Sequence, residues 1–581
     1  MKKREDEKLS VTTIWQEYQK GIEYMRMRNV FRNSERNNNF FLGKQWENAK
    51  LGDMKPIAIN IIQTIVKYKI GVINQNTYAV VFSPSYLQNN PQEANKICEL
   101  LSKHVDRIFE NQNLSGKLRI IVKDACINSE GIIYNYYNKN DDEIISEVIN
   151  KNNICYGNEA DENIQDQPYI IISFRKPVEQ VKEEAILNGM SQADVDLIVA
   201  DEEIENEAGY DGINQEISPM CMVLLKLYKK TNANGVKTVH FAKCTKFTEI
   251  IKETDTGLKL YPVEHYVWES EKGSSRGIGA VETNIPNQIE INKTEMRRAI
   301  AVKAMAYPKL VYNNNYIKNP KALKQTGADI ELEGAQVDDI RKYVGYISAT
   351  SMSADSKYLL EELVTYTQNL AGAGDNASGN IDVTKTSAKA IIAVQQAQQQ
   401  PLNEQLYKYK EFLESLARIY LDMLQNYKVN GLTLQEEVQN QIMGENGIVS
   451  TENTTQEYQL SYEDLQFLKA NVKVDITPKT PYDKYAVEQS LENLFMADKI
   501  TFEEWVNALP YDSYNDKSKL LEIVKKRKQD QEAIKQMEKN ANDQMAKIKQ
   551  LLAQQQRAED INNIDNMGQA KIKQFQQVMG G

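Results

Sequence analysis

The sequence predicts an α+β protein, because segments with a helical period lie on both sides of a block of strands. Apolar residues recur at steps of three and four in residues 9–50, 91–112 and 402–427. Between about residues 116 and 272, segments rich in β-branched and aromatic residues end at Gly, Pro, Asn or Asp, which is typical of strands. These segments are GIIYNYYN, YIIISFRKP, MCMVLLKLYKK, VKTVHFAKCTKFTEIIKE and LKLYPVEHYVWE.

Composition and charge limit the class of protein. The chain has 581 residues, 41% of them hydrophobic and 26% charged, which is typical of a folded chain rather than a disordered one. Its net charge of −11 argues against non-specific coating of nucleic acid, since such binding neutralises phosphates with Lys and Arg. The same charge is compatible with a protein past which DNA slides.

Cysteine usage and hydropathy predict an intracellular protein. The five cysteines are scattered and form no C-x-x-C pair, which favours free thiols over a disulfide framework or a zinc site. The start, MKKREDEKLS, has no apolar segment typical of a signal peptide, and the apolar run Ile57–Val66 is too short to span a bilayer. We therefore expect a protein that is cytosolic when made and does not enter a membrane.

The strand block contains an acidic, helical insertion at about residues 178–207. Five acidic residues crowd its end, namely Asp201, Glu202, Glu203, Glu205 and Glu207. We interpret this run as a solvated surface, with a site for a basic partner as the alternative.

Two helices and a glycine-rich loop follow the strand block. The first helix starts near Glu282 and stops before Pro308. The second runs from about Ser353 to Leu370, with an apolar stripe formed by Leu359, Leu363, Tyr366 and Leu370. After the loop AGAGDNASGN, a long helix interrupted at Pro401 extends to about Tyr427. Its apolar residues alternate at steps of four and three, which predicts a heptad seam: Leu402, Leu406, Tyr409, Leu413, Leu416, Tyr420, Met423 and Tyr427.

Catalytic signatures are missing from the sequence. The three histidines are far apart, and no metal-ligand spacing exists; His240 and Cys244 lie about 13 Å apart if the segment is a strand. Gly277-x-Gly279 lacks the third glycine of a dinucleotide loop, and AGAGDNASGN lacks the Gly-Lys-Ser/Thr of an ATP-binding loop. The sequence thus predicts no catalytic residue, no metal and no cofactor. It does not exclude a catalytic pair of carboxylates that come together only in the folded chain.

Basic residues cluster on the helix that starts near Glu282. Lys293, Arg297, Arg298 and Lys303 form a patch opposite Ile285, Ile289, Met296 and Ile300. On a monomer this pattern predicts an amphipathic surface helix; in a ring it would present positive charge to the lumen, a diffuse attraction suited to sliding duplex DNA. The glycine-rich loop adds candidate flexible positions at Gly372, Gly374, Asp375, Asn376, Gly379 and Asn380.

The order of these elements resembles that of tailed-bacteriophage portal proteins, the head–tail connectors of the SPP1-like and related type. The resemblance covers roughly residues 15–530. It is carried by RNSERNNNFFLGKQWENAKLGDMKPIAINIIQTIVKYKIGVI, by GSSRGIGAVETNIPNQIEINKTEMRRAIAVKAMAYPKLVY, by TSAKAIIAVQQAQQQPLNEQL and by FMADKITFEEWVNALP.

The resemblance implies a portal fold with named parts. The expected parts are a wing at residues 1–281, a first stem helix at 282–306, a clip at 307–352, a second stem helix at 353–371, a tunnel loop at 372–384, a long kinked helix at 385–427, a wing return at 428–485, a crown at 486–530 and a Gln-rich tail at 531–581. The tail either extends the crown as a helical barrel or stays disordered.

The resemblance also implies a function. A homo-oligomeric ring, typically a dodecamer, would sit at one capsid vertex of the virion after assembly in the host cytoplasm. It would conduct double-stranded DNA during packaging and ejection, without enzymatic activity. Its expected partners are the terminase large subunit, a head-completion or adaptor protein at the clip, and the major capsid and scaffold proteins. The competing hypotheses are another phage structural protein, such as a scaffold or minor head protein, and a metal-dependent nucleic-acid enzyme.

Overall fold

A computed structural model describes most of the first 478 residues. The described ranges are 10–47, 55–84, 91–139, 141–201, 219–231, 235–334, 339–347, 355–373, 400–428, 431–443, 449–467, 470–478 and 491–497, with short helical pieces beyond. The chain divides into two compact units, Met1–Pro478 and Lys479–Gly581. In the second unit, residues 491–496, 544–553 and 567–574 are helical.

Eleven helices in the described part of the first unit carry the labels used below. They are α1 Val11–Met27, α2 Val30–Leu42, α3 Ile61–Gln75, α4 Pro91–Asn111, α5 Leu114–Asn128, α6 Val178–Leu187, α7 Gln192–Val195, α8 Ala280–Ala306, α9 Asp355–Leu370, α10 Asn403–Tyr427 and α11 Tyr462–Phe467. Local chemistry sets their ends. The Ser10 hydroxyl caps α1 by accepting a hydrogen bond from the Thr13 amide at 3.2 Å, and Gly43 ends α2 in the left-handed conformation.

Fourteen strands in the described residues pair only in antiparallel fashion. They are β1 Asn76–Pro84, β2 Glu130–Asn138, β3 Glu143–Ile149, β4 Ile154–Tyr156, β5 Tyr169–Pro177, β6 Met220–Thr231, β7 Lys237–Cys244, β8 Glu249–Asp255, β9 Val263–Val267, β10 Lys309–Tyr312, β11 Val344–Ile347, β12 Leu432–Met443, β13 Val449–Leu460 and β14 Ala470–Pro478. The two larger sheets have the orders β4-β5-β6-β7-β8 and β3-β2-β9. The α+β class and the five predicted strand segments are confirmed.

One sheet joins residues that are far apart in the chain. Strand β1 pairs with β14 over nine residues, from Asn76 opposite Pro478 to Pro84 opposite Ala470. The local sequence pattern did not indicate β1. Because a strand needs a partner before its backbone groups are satisfied, its partner is decided by the fold rather than by local pattern.

The main hydrophobic core forms around α10. Leu416 and Tyr420 are fully buried there, together with Tyr266 of β9 and Ile121 of α5. The apolar seam of α10 therefore packs inside its own chain. The predicted heptad seam is confirmed as an apolar stripe, and residues of the same chain cover it.

The five cysteines are free, as predicted, and all five are buried. Among the residues described, no helix combines the length and apolar character that crossing a bilayer requires.

Candidate functional site

Helix α8 starts inside the protein and ends outside it. Between its start and Met296, the helix buries Ile285, Ile291 and Met296. From Arg297 onward the helix is largely exposed, so that Val302 is 55% exposed and Tyr307, just past its end, 75% exposed. The expected apolar face of Ile285, Ile289, Met296 and Ile300 is thus covered only in part, since Ile300 is 44% exposed.

The loop before α8 uses glycine for close packing. Gly277 has φ +62°, and a Cβ at this position would lie 2.3 Å from the Glu269 carbonyl oxygen. A Cβ on Gly279 would lie 2.8 Å from the Ile127 carbonyl oxygen. The spacing Gly277-x-Gly279 is thus explained by contacts within the protein, and the loop leads directly into α8.

Directly before these glycines, Arg276 forms a buried ionic cluster. Its guanidinium donates to Glu159 from Nε at 2.9 Å and from Nη2 at 2.8 Å, and Nη1 donates to Glu130 Oε1 at 2.9 Å. The same group donates to the carbonyls of Lys151 at 3.2 Å and Ile154 at 2.9 Å. Arg276 thereby ties the start of α8 to the residues around β2 and β4.

The electrostatics of this cluster are those of a stable ion pair. Burial opposes ionisation of Glu130, but Arg276, His265 and Lys151 outweigh it and lower the pKa of the Glu130 carboxyl. The pKa of Arg276 is raised well above its usual value, since the attraction of Glu159 and Glu130 outweighs its burial. Burial lowers the pKa of neighbouring Lys151 to about 8.

A second polar cluster fixes α8 against α3. The Gln288 side-chain oxygen accepts from the amides of Ile61 at 3.0 Å and Ile62 at 3.2 Å, and its amide donates to the Ile59 carbonyl at 2.6 Å. One turn later, Asn292 accepts from the Ile59 amide at 3.0 Å. Two buried amide side chains one helical turn apart thus satisfy the backbone at the start of α3 and set the position of α8.

The predicted basic patch lies on the outer part of α8, where its charge is partly balanced. Arg297 pairs with Glu290 at 3.1 Å, Lys293 approaches the same carboxylate at 4.0 Å, and Arg298 pairs with Glu295 at 3.4 Å. Over residues 282–306 there are four basic residues, with Lys303 as the fourth, and three acidic ones, so the net charge is +1. The field of this helix is therefore weakly positive.

Helix α9 exposes the apolar stripe that the sequence predicted. It packs on α8 and α3 through Leu360 and Thr367, which are buried. Three of the four stripe residues lie on the uncovered side: Leu359 is 49%, Tyr366 57% and Leu370 80% exposed. The fourth, Leu363, is partly buried against the small cluster beneath the helix. Among the described residues, none covers this apolar side of α9.

Between α8 and α9, residues 309–347 form a small lobe around the β10–β11 pair. Val311, Tyr346 and Ile347 on these two strands are exposed. The lobe has a cavity of about 590 Å³, lined by both strands and by Asn313, Arg341 and Tyr343 among others. The lobe thus offers a second apolar surface, in the segment of the chain that connects α8 to α9.

The structure describes little of the predicted glycine-rich loop. Gly372 follows α9 with φ +70° and lies near Pro401. The other candidates, Gly374, Asp375, Asn376, Gly379 and Asn380, lie outside the described residues, as does the predicted helix before residue 400. Within the part that is described, no group of three or more His, Cys, Asp or Glu side chains could hold a metal ion.

The described residues thus place exposed apolar side chains on α9 and on the β10–β11 lobe. The family described as phage P22-like portal protein matches residues 17–580, nearly the whole chain. The chain therefore belongs to the P22-like phage portal family, which is a family of structural virion proteins. This match confirms the tailed-phage portal class that the sequence resemblance implied. A search of curated proteins found no match.

Proposed function

We propose that this portal protein forms a ring, typically of twelve subunits, at one capsid vertex, and that the ring conducts double-stranded DNA during packaging and ejection. In this proposal residues 1–281 and 428–485 are the wing, α8 and α9 are the stem helices, 307–352 is the clip, 372–384 is the tunnel loop and 486–530 is the crown.

The observation that carries this proposal is the uncovered apolar stripe of α9. Side chains as exposed as Leu370 and Tyr366 gain roughly 25 cal/mol for each Å² of apolar surface that a neighbour removes from water. Helix α9 packs on α8, so one neighbouring copy could cover exposed side chains of both helices. A head-to-tail contact of this kind generates a ring when its rotation closes.

The weak net charge of α8 supports a channel that does not bind DNA tightly. Each phosphate contact that forms during translocation must also break, so tight binding would slow movement. Glu290 and Glu295 moderate the basic residues of the outer helix, which leaves +1 on residues 282–306 of each subunit. A ring multiplies this weak field without creating sequence-specific contacts.

The lobe at residues 309–347 is the proposed docking site for the terminase large subunit and later for a head-completion protein. Its exposed Tyr346 and Ile347 suit a protein partner, because aromatic and aliphatic side chains dominate interface energies. Capsid and scaffold proteins would contact other surfaces of the ring during assembly in the host cytoplasm.

Imaging of the purified protein by negative-stain electron microscopy, with native mass spectrometry, tests the ring. We expect closed particles of about a dozen copies with a central hole. Solitary particles without a hole at assembly concentrations would refute the proposal.

A matched pair of variants tests the interface. Leu359→Asp with Tyr366→Asp should abolish rings and leave a folded monomer, because both side chains are exposed in the single chain. Phe247→Asp, also at an exposed aromatic residue but on the distant β7–β8 turn, should assemble normally. Rings that form equally well from both variants would remove α9 from the interface.

A further inference from the structure

The negative charge of this protein is concentrated in one insertion. Residues 178–218 contain twelve acidic residues and a single lysine, a net charge of −11. The whole chain also carries −11, so the remaining residues are balanced. The described start of the insertion, α6 and α7, is packed on the five-stranded sheet through Val181, Ala185 and Val195.

Some of these carboxylates are engaged by the sheet beneath. Glu184 pairs with Lys243 and lies 4.0 Å from Lys176. Asp201 lies 3.5 Å from Arg175 and accepts a hydrogen bond from the Met222 amide at 2.8 Å. These contacts hold the insertion on the sheet. Glu184 and Asp201 are therefore paired with residues of the sheet, whereas other acidic residues of the insertion face solvent.

The outer face of α6 combines acidic and apolar side chains in order. Glu179 and Glu183 are one turn apart and exposed. Ile186, a further turn along the same face, is 53% exposed, and Leu187 beside it is 86% exposed. Leu197 and Val199, just after α7, are exposed as well. The insertion thus presents carboxylates at one end of α6 and bulky apolar groups at the other.

We infer that this outer face of α6 is a docking surface for a basic, amphipathic helix of another protein. Lysine or arginine side chains of that helix would reach Glu179 and Glu183, and its apolar residues would cover Ile186 and Leu187. Charge complementarity selects a basic partner. DNA and anionic lipid surfaces carry negative charge, as the insertion does. The rest of this chain has no net charge, so another copy of the chain offers no matching excess of positive charge. The inference is independent of the DNA-channel proposal.

A synthetic helical peptide, with lysines on one half of a face and leucines on the other, serves as the probe for fluorescence-anisotropy titration against the full-length protein. We expect binding that weakens with added salt. Glu179→Lys with Glu183→Lys should weaken it about tenfold, because two exposed ion pairs are lost and like charges replace them. Ile186→Ser with Leu187→Ser should weaken binding comparably while leaving the salt dependence intact.

Controls make the result specific to α6. Glu143→Lys with Glu147→Lys changes the same charge, four residues apart, on exposed positions of β3 and should leave the affinity unchanged. A peptide with glutamates in place of lysines should not bind. The inference is overturned if the α6 variants bind like the unmodified protein, or if the β3 variant is equally impaired. It is also overturned if the α6 variants lose ring assembly, because the surface would then lie between copies of this chain.

Discussion

Arg276 and Glu159 form a two-point ion pair inside the protein, with Nε 2.9 Å from one carboxylate oxygen and Nη2 2.8 Å from the other. The planar guanidinium matches a carboxylate in this geometry, whereas the ammonium of lysine does not. Because Arg276 also binds Glu130, a single side chain pairs with two carboxylates directly before α8. The position of the long helix therefore depends on a residue that is not part of it.

Replacement of Arg276 should be strongly destabilising. Arg276→Met leaves Glu130 and Glu159 buried without their cation, a situation that costs about 3–5 kcal/mol in other proteins. Urea denaturation of both proteins measures the difference in free energy of unfolding. Arg36→Met is the control, because the Arg36–Glu282 pair is far more accessible to solvent and should be worth about 1 kcal/mol or less. Equal losses in the two variants would contradict the role of the cluster.

Reversal of charge on outer α8 should impair DNA handling but not assembly. Arg297→Glu with Arg298→Glu changes the net charge of residues 282–306 from +1 to −3, and a ring multiplies the change. We expect rings that look normal by electron microscopy and particles that hold less nuclease-protected DNA. Lys237→Glu with Lys252→Glu, at exposed positions on β7 and β8, makes the same charge change away from α8. Full packaging by the first variant would exclude α8 from the channel wall.

His104 should make stability depend on pH in the acidic range. Burial, with Lys428 and Arg107 nearby, lowers its pKa from 6.5 to about 4. Between these values the unfolded chain holds a proton that the folded chain lacks, so stability should rise as pH increases from about 4 to 6.5, by about 3 kcal/mol in total. His104→Gln should flatten that part of the curve in chemical denaturation. The same slope in both proteins would contradict the assignment.

The five cysteines should resist thiol reagents in the folded protein. Burial raises the pKa of Cys98 and Cys221 to about 11 and that of Cys126, Cys155 and Cys244 to about 12. At pH 8 almost no thiolate, the reactive form, is present. We expect negligible reaction with a chromogenic disulfide reagent in buffer and five equivalents after unfolding in guanidinium. Rapid reaction of the folded protein would show that a cysteine is accessible.

Local pattern was enough to find most elements of the fold. Segments such as Tyr169–Pro177 coincide with strands, because a short run of apolar residues bounded by turn residues is typical of a buried strand. Helix α8 was likewise expected within a few residues of Ala280–Ala306, since proline ends it and a charged stripe marks its surface.

The Arg276 cluster was missed, although a lone arginine among the small residues of GSSRGIG was its signal. The partners Glu130 and Glu159 lie more than a hundred residues away, so only folding shows which of the many acids meet it.

The sequence by itself determined that two amphipathic helices lie on either side of residues 307–352, that α9 carries an apolar stripe, and that positive charge gathers on α8. Only the tertiary structure decided which apolar surfaces are already satisfied. The seam of α10 is buried by its own chain, while Tyr366 and Leu370 of α9 remain exposed. The physical reason is that periodicity encodes the existence of an apolar face, whereas the surface that covers it depends on residues brought together from the whole chain.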